Sequence, residues 1–156
     1  MALALTNLDI TPVRGNAALL PNQPILQGCK VYASQTGSLV PGDVVALSST
    51  TGTADLVEVK KAAVTDTPIG VVVGNPIKTG FVAGERVSVF PENSFVYMTT
   101  GTASIARGSK LQFDANGDVL ATTTASNGYI GIAYTAGVAK GDVIIVQIKP
   151  GLEPAA

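Results

Sequence analysis

One phrase recurs along this chain and limits what it can fold into. It is an apolar residue, a second residue, glycine, then a polar residue, followed by a run rich in β-branched side chains. It stands at Val40-Pro41-Gly42-Asp43, Val82-Ala83-Gly84-Glu85, Ala106-Arg107-Gly108-Ser109 and Ala139-Lys140-Gly141-Asp142. Glycine turns the chain there, and the polar residue after it sits at the mouth of a strand. A second phrase, Ile-Gly between apolar neighbours, stands at Pro68-Ile69-Gly70-Val71 and Tyr129-Ile130-Gly131-Ile132. The phrases fall in the same order twice. Gly42, Gly52, Gly70 and Gly84 align with Gly108, Gly117, Gly131 and Gly141 at offsets of 66, 65, 61 and 57. Such an ordered return points to an internal duplication, 39–90 and 105–148, with loops trimmed in the second copy.

Between these phrases the hydrophobic period is two, not 3.6. Strands are expected at 30–35, 43–47, 56–61, 69–73, 86–90, 94–99, 110–113, 119–123, 129–134 and 142–149. Asn116-Gly117, inside Asp114–Asp118, reads as a tight hairpin turn with positive φ at its centre. The fold class is therefore all-β. Two copies of about four strands suit one small β-barrel or sandwich, not a long solenoid, which needs three or more repeats.

The first 28 residues differ. They hold Pro12, Pro21 and Pro24 and show no alternation after Ile10. They read as an extended N-terminal arm, 1–28, ahead of a β domain at 29–150 and a loose tail at 151–156. The arm carries Leu3, Leu5, Leu8, Ile10, Val13, Leu19 and Leu20, too much apolar surface for a free linker. These are the candidate interaction residues. Leu3 and Leu5 share a strand face, as do Leu8 and Ile10, and such a stretch can add to a sheet edge. Such surface lies on something, either the chain's own barrel or a neighbouring subunit or other protein, and the expectation is an interaction strap that is not part of the barrel core.

Little in the chain supports catalysis. Among its 156 residues there is no His and one Cys, so no His-based triad, Cys-His pair or Cys cluster exists. Cys29 reads as a small half-buried apolar residue. Asp114-x-Asn116-x-Asp118 opens like a calcium loop, but Val119 stands at the sixth position and Ala125 at the twelfth, where glycine and a bidentate acid belong. Gly70–Gly74 lacks the spacing of a phosphate cradle. The carboxylates at strand mouths are expected to face water. No cofactor, metal or enzymatic activity is expected. Lys plus Arg is 10 and Asp plus Glu is 11, a balance that argues against nucleic acid and against an anionic membrane. Met1–Ile10 lacks a basic leader, and no apolar run approaches membrane-span length.

The run from Val31 to Lys149 resembles the small structural cement, or capsid decoration, proteins of tailed bacteriophages. The residues that carry this are Gly42-Asp43-Val44-Val45, Pro68-Ile69-Gly70-Val71-Val72 and Gly84-Glu85-Arg86-Val87-Ser88-Val89. They continue with Arg107-Gly108-Ser109-Lys110-Leu111 into Asp114-Ala115-Asn116-Gly117, then Ile130-Gly131-Ile132-Ala133 and Ala139-Lys140-Gly141-Asp142-Val143-Ile144. The resemblance implies a non-enzymatic virion protein on the outer surface of the phage head, made in the host cytoplasm. It implies the major capsid protein as partner and a homo-oligomer, with a trimer favoured over a dimer. The competing class is a carbohydrate or host-receptor binding module of a virion.

Overall fold

A computed structural model describes residues 12–19, 23–48, 57–75 and 77–156. Among these described residues ten strands follow one another: β1 (Leu26–Val31), β2 (Val44–Leu47), β3 (Val57–Lys61), β4 (Pro68–Val72), β5 (Arg86–Phe90), β6 (Phe95–Thr99), β7 (Lys110–Phe113), β8 (Val119–Leu120), β9 (Gly128–Ala133) and β10 (Val143–Leu152). The described residues contain no helix. The protein is all-β.

The strands divide into two units. Unit one is a closed barrel in the order β1-β3-β2-β4-β5. Unit two is a five-stranded sheet in the order β6-β10-β9-β7-β8. Apart from where it is cut open, this is the same order. In unit one the parallel β1–β3 ladder closes the barrel. In unit two a single parallel bridge, Thr100 to Val119, stands in that place.

The ladders agree residue by residue. Val44 pairs with Val71 and Val45 with Gly70, and a bulge follows Val45. Lys110 pairs with Ile132 and Leu111 with Gly131, and a bulge follows Leu111. Val72 faces Val89 in unit one, and Ala133 faces Val146 in unit two. The glycine offsets of 66, 61 and 57 carry each pair onto its counterpart. Two features differ from the expectation. Each copy builds its own sheet instead of half of a shared one. Each unit also contains a fifth strand, β1 or β6, outside the expected copies.

The turn phrases explain the mouths of the strands. In each, the fourth residue's N–H donates to the first residue's carbonyl: Asp43 to Val40 at 3.0 Å, Glu85 to Val82 at 3.1 Å, Ser109 to Ala106 at 3.2 Å and Asp142 to Ala139 at 3.3 Å. The glycine at third place has φ of 87, 81, 86 and 92° in turn, the region a type II turn requires there. The Asp114–Asp118 hairpin departs from the expectation. Only Gly117 has positive φ within it, and Gly117 N–H donates to Asp114 O. That is a three-residue loop whose glycine takes the left-handed position, not a two-residue turn with two positive φ values.

The ends of the chain also differ from the expected boundaries. Leu26, Gln27 and Gly28 are strand, not arm. β10 runs on to Leu152, so residues 151 and 152 are strand, not loose tail. Glu153 is tied to Lys110 at 3.0 Å.

Two apolar clusters fill the molecule. Inside unit one lie Cys29, Val31, Leu39, Val45, Val59, Val72, Val87 and Val89. The opposite face of the same strands carries Val44, Ala46, Val71 and Phe90. These join Met98, Leu111, Phe113, Ile130, Ile144 and Ile148 of unit two in one cluster. β2 and β4 are thus buried on both faces. Each large side chain so covered contributes about 1.5–3 kcal/mol relative to exposure.

Candidate interaction site

The arm approaches the body at the junction of the two units. Gly15 N–H donates to Tyr97 O at 2.8 Å, Tyr97 N–H to Asn16 O at 3.0 Å and Ala18 N–H to Phe95 O at 2.8 Å. Ala17 forms an antiparallel bridge with Val96. These contacts lay a short strand along the edge of β6 and satisfy backbone groups that an open edge leaves bare. Gln23 reinforces them, donating to Ala18 O at 2.9 Å and Phe95 O at 2.7 Å while its Oε1 accepts from Phe95 N–H. Gly74 N–H donates to Gly15 O at 2.6 Å and so ties the arm to unit one as well. Gly15 has φ of 80°, and a Cβ there would lie 2.5 Å from Gly42 N, so the site demands glycine on both counts.

Arg14 enters between the units. Its Nη2 donates to Asp43 Oδ1 at 3.1 Å and to Asn116 O at 2.6 Å. Its Nη1 reaches Asp118 Oδ1 at 3.4 Å. Asp43 is wholly buried and also faces Lys61 Nζ at 3.4 Å. Asp43 Oδ2 accepts from Val40 N–H at 2.9 Å. For Asp43 this corrects the expectation that strand-mouth carboxylates face water. A buried carboxylate needs such partners, because losing one leaves an uncompensated charge.

Several other carboxylates serve turns. Asp142 accepts from Val138 and Ala139 N–H, both at 2.8 Å. The Lys78 ammonium, then the Val82 N–H, holds the Glu85 carboxyl below its usual range. Burial pushes Asp66 up but is outweighed by the Ala63 N–H and Lys60, which together bring it down. Cys29 is buried, deeper than the half-burial expected of it, and burial pushes its thiol up, which makes it a poor nucleophile. Among the described residues, no three His, Cys, Asp or Glu side chains are grouped so as to hold a metal ion.

Of the expected interaction residues, Val13 and Leu19 are exposed, at 50% and 56%, on either side of the docked strand. Leu3, Leu5, Leu8, Ile10 and Leu20 lie outside the described residues. Of the two supports open to the arm, its own body or a neighbour, 14–18 take the body. Ala18 is buried at 2% exposure, and Arg14, Gly15 and Gln23 make specific contacts with the body. One signal pointed to this: Arg14 is the only basic residue in 1–28. Two further apolar side chains stand out, Ile77 at 93% and Val138 at 81% exposure. Ile77 lies on the β4–β5 connection and Val138 on its counterpart between β9 and β10.

The family model for phage cement proteins matches residues 30–148, which takes in most of both units. No curated protein matches the chain.

Proposed function

The chain belongs to the phage cement protein family, a family of structural, capsid-associated proteins, and from that premise we propose that it binds the outer surface of a phage head. In this reading it acts as a symmetric oligomer, a trimer before a dimer, contacts the major capsid protein and stabilises the lattice without enzymatic chemistry. The observation that carries it is the family match over 30–148, because it spans both units and not one generic β motif. The physical character of the chain supports it. A chain with 13% charged residues binds through area and shape, and repetition over many equivalent sites multiplies a modest affinity. Leu3, Leu5, Leu8, Ile10, Val13, Leu19 and Leu20 form the strap, and Val13 and Leu19 are already exposed at its described end.

The test is to add purified protein to heads that lack it and count copies by cryo-electron microscopy. Saturating density at repeated capsid axes is expected, in groups of three at local three-fold positions. The net charge of −1 predicts weak salt dependence. Occupancy is expected to change less than about twofold between roughly 50 and 500 mM salt, where exposed ion pairs are screened. Heads that stay bare at saturating protein would defeat the reading. A steep loss with salt would show an electrostatic grip instead of an apolar one.

A further inference from the structure

The four glycine turns have one backbone solution but different surroundings. A Cβ added at Gly84, Gly108 or Gly141 meets nothing within 4 Å. At Gly42 it would collide with the Arg14 side chain, whose Cδ would lie 2.8 Å away. The turn itself therefore does not need the space; Arg14 occupies it. Gly117 shows the same relation from unit two, where an added Cβ would lie 2.7 Å from Arg14 Nη2 and 3.2 Å from Asp43 Cα. One arginine side chain thus fills two glycine notches, its stem on one unit and its guanidinium tip on the other. It also spans from the buried Asp43 of unit one to Asn116 O and Asp118 of unit two. Lysine carries charge but not the planar fork that reaches several acceptors at once.

We propose that Arg14 is a latch on the seam, through which docking of the arm and joining of the two units become one event. The latch commits 14–18 to the chain's own body. Left for a neighbour are Val13 and Leu19, exposed on either side of that strand, with the arm residues beyond them. The latch belongs to the free protein and stands or falls without any capsid.

Hydrogen exchange on the full chain, read by NMR, tests it with Arg14→Ala. The reporters for the arm are the amides of Gly15, Ala18, Tyr97 and Gly74, each bonded across the arm contact. The reporter for the seam is Gly128, whose N–H donates to Val64 O at 2.7 Å on the other unit. Loss of charge-assisted bonds is expected to speed all five by about tenfold or more. Val31 and Gly84, bonded within unit one, are expected to stay within about twofold. Unchanged arm amides would overturn the latch. Faster arm amides with an unchanged Gly128 would overturn the coupling. If Arg14→Ala does not fold, Arg14→Lys decides: the same amides are expected to speed up, and full protection in that variant would show that no spanning fork is needed.

Discussion

Asp142 accepts backbone N–H bonds from Ala139 and Val138, and these hold its carboxyl below the usual carboxylate range. A depressed folded value means stability that is present above the ordinary carboxylate value and lost as pH falls through the lower one. Asp142→Ala is therefore expected to melt below the parent at neutral pH, with the gap closing as pH falls below the ordinary carboxylate range. Thermal scans over pH check this, and a gap that persists in strong acid would sink it. Asp118 has the opposite sign. Burial pushes it up first; Arg14 then lowers it, Asp114 raises it, Lys140 lowers it and Asp43 raises it, with a net rise. Its ionised form is the disfavoured one in the fold, so its contribution is fully present below the ordinary value and falls away as pH rises through the raised one. Asp118→Asn is expected to melt at or above the parent at pH 7 and to converge with it in acid. A drop of several degrees at neutral pH would mean that Asp118, and not only Asp43 and Asn116 O, carries the hold on Arg14.

At the scale of strands, the Ile-Gly phrase has one physical cause in both units. A Cβ on Gly70 would fall on Phe90 O, and one on Gly131 would fall on Gln147 O. Phe90 and Gln147 are themselves counterparts at the offset of 57. The obstacle is backbone, which cannot swing aside as a side chain does. Gly131→Ala is expected to cost about 1–3 kcal/mol, the range for forced overpacking. It should lower the denaturant midpoint with the slope unchanged; a change under about 0.5 kcal/mol would mean that the ladder shifts freely. Strands β2 to β10 were legible from period two and glycine punctuation, because both follow from local chemistry. β5 and β7 fall at the expected residues. β1 was placed too late, since Tyr32–Gln35 continues the apolar pattern yet closes a turn, with Gln35 N–H donating to Tyr32 O. The kinship of β1 with β6 was hidden because Leu-Gln-Gly-Cys-Lys-Val and Phe-Val-Tyr-Met-Thr share no phrase. Arg14 stood out as the only basic residue of 1–28, but its partners were hidden: they lie far away in sequence, and no local pattern encodes that.

At the scale of the whole molecule, the second face of unit one joins the two units into one body. Val44, Ala46, Val71 and Phe90 are buried there against unit two. Their counterparts in unit two are Lys110, Gln112, Ile132 and Gln147, a mostly polar set, so unit two does not repeat this apolar face. Because one core spans both units, a single unfolding transition is expected, with calorimetric and van't Hoff enthalpies equal. Two separated transitions would show that the shared cluster contributes little. Where body ends and strap begins follows from the same accounting. Removing 1–11 takes away Leu3, Leu5, Leu8 and Ile10 but leaves Arg14, the β6-edge strand and Ala18 in place. Removing 1–19 also strips backbone bonds worth about 0.5–1.5 kcal/mol each and leaves the buried Asp43 without its guanidinium. The shorter deletion is expected to melt within about 2 °C of the full chain and the longer one several degrees lower, at roughly 2–4 °C per kcal/mol for a chain of this size. On heads, the shorter deletion is expected to lose occupancy although its fold is intact, since the strap needs its apolar groups to repay the cost of ordering. If that chain melts early, the first residues belong to the body. If it melts normally and still fills every site at the same protein concentration, the arm is no strap.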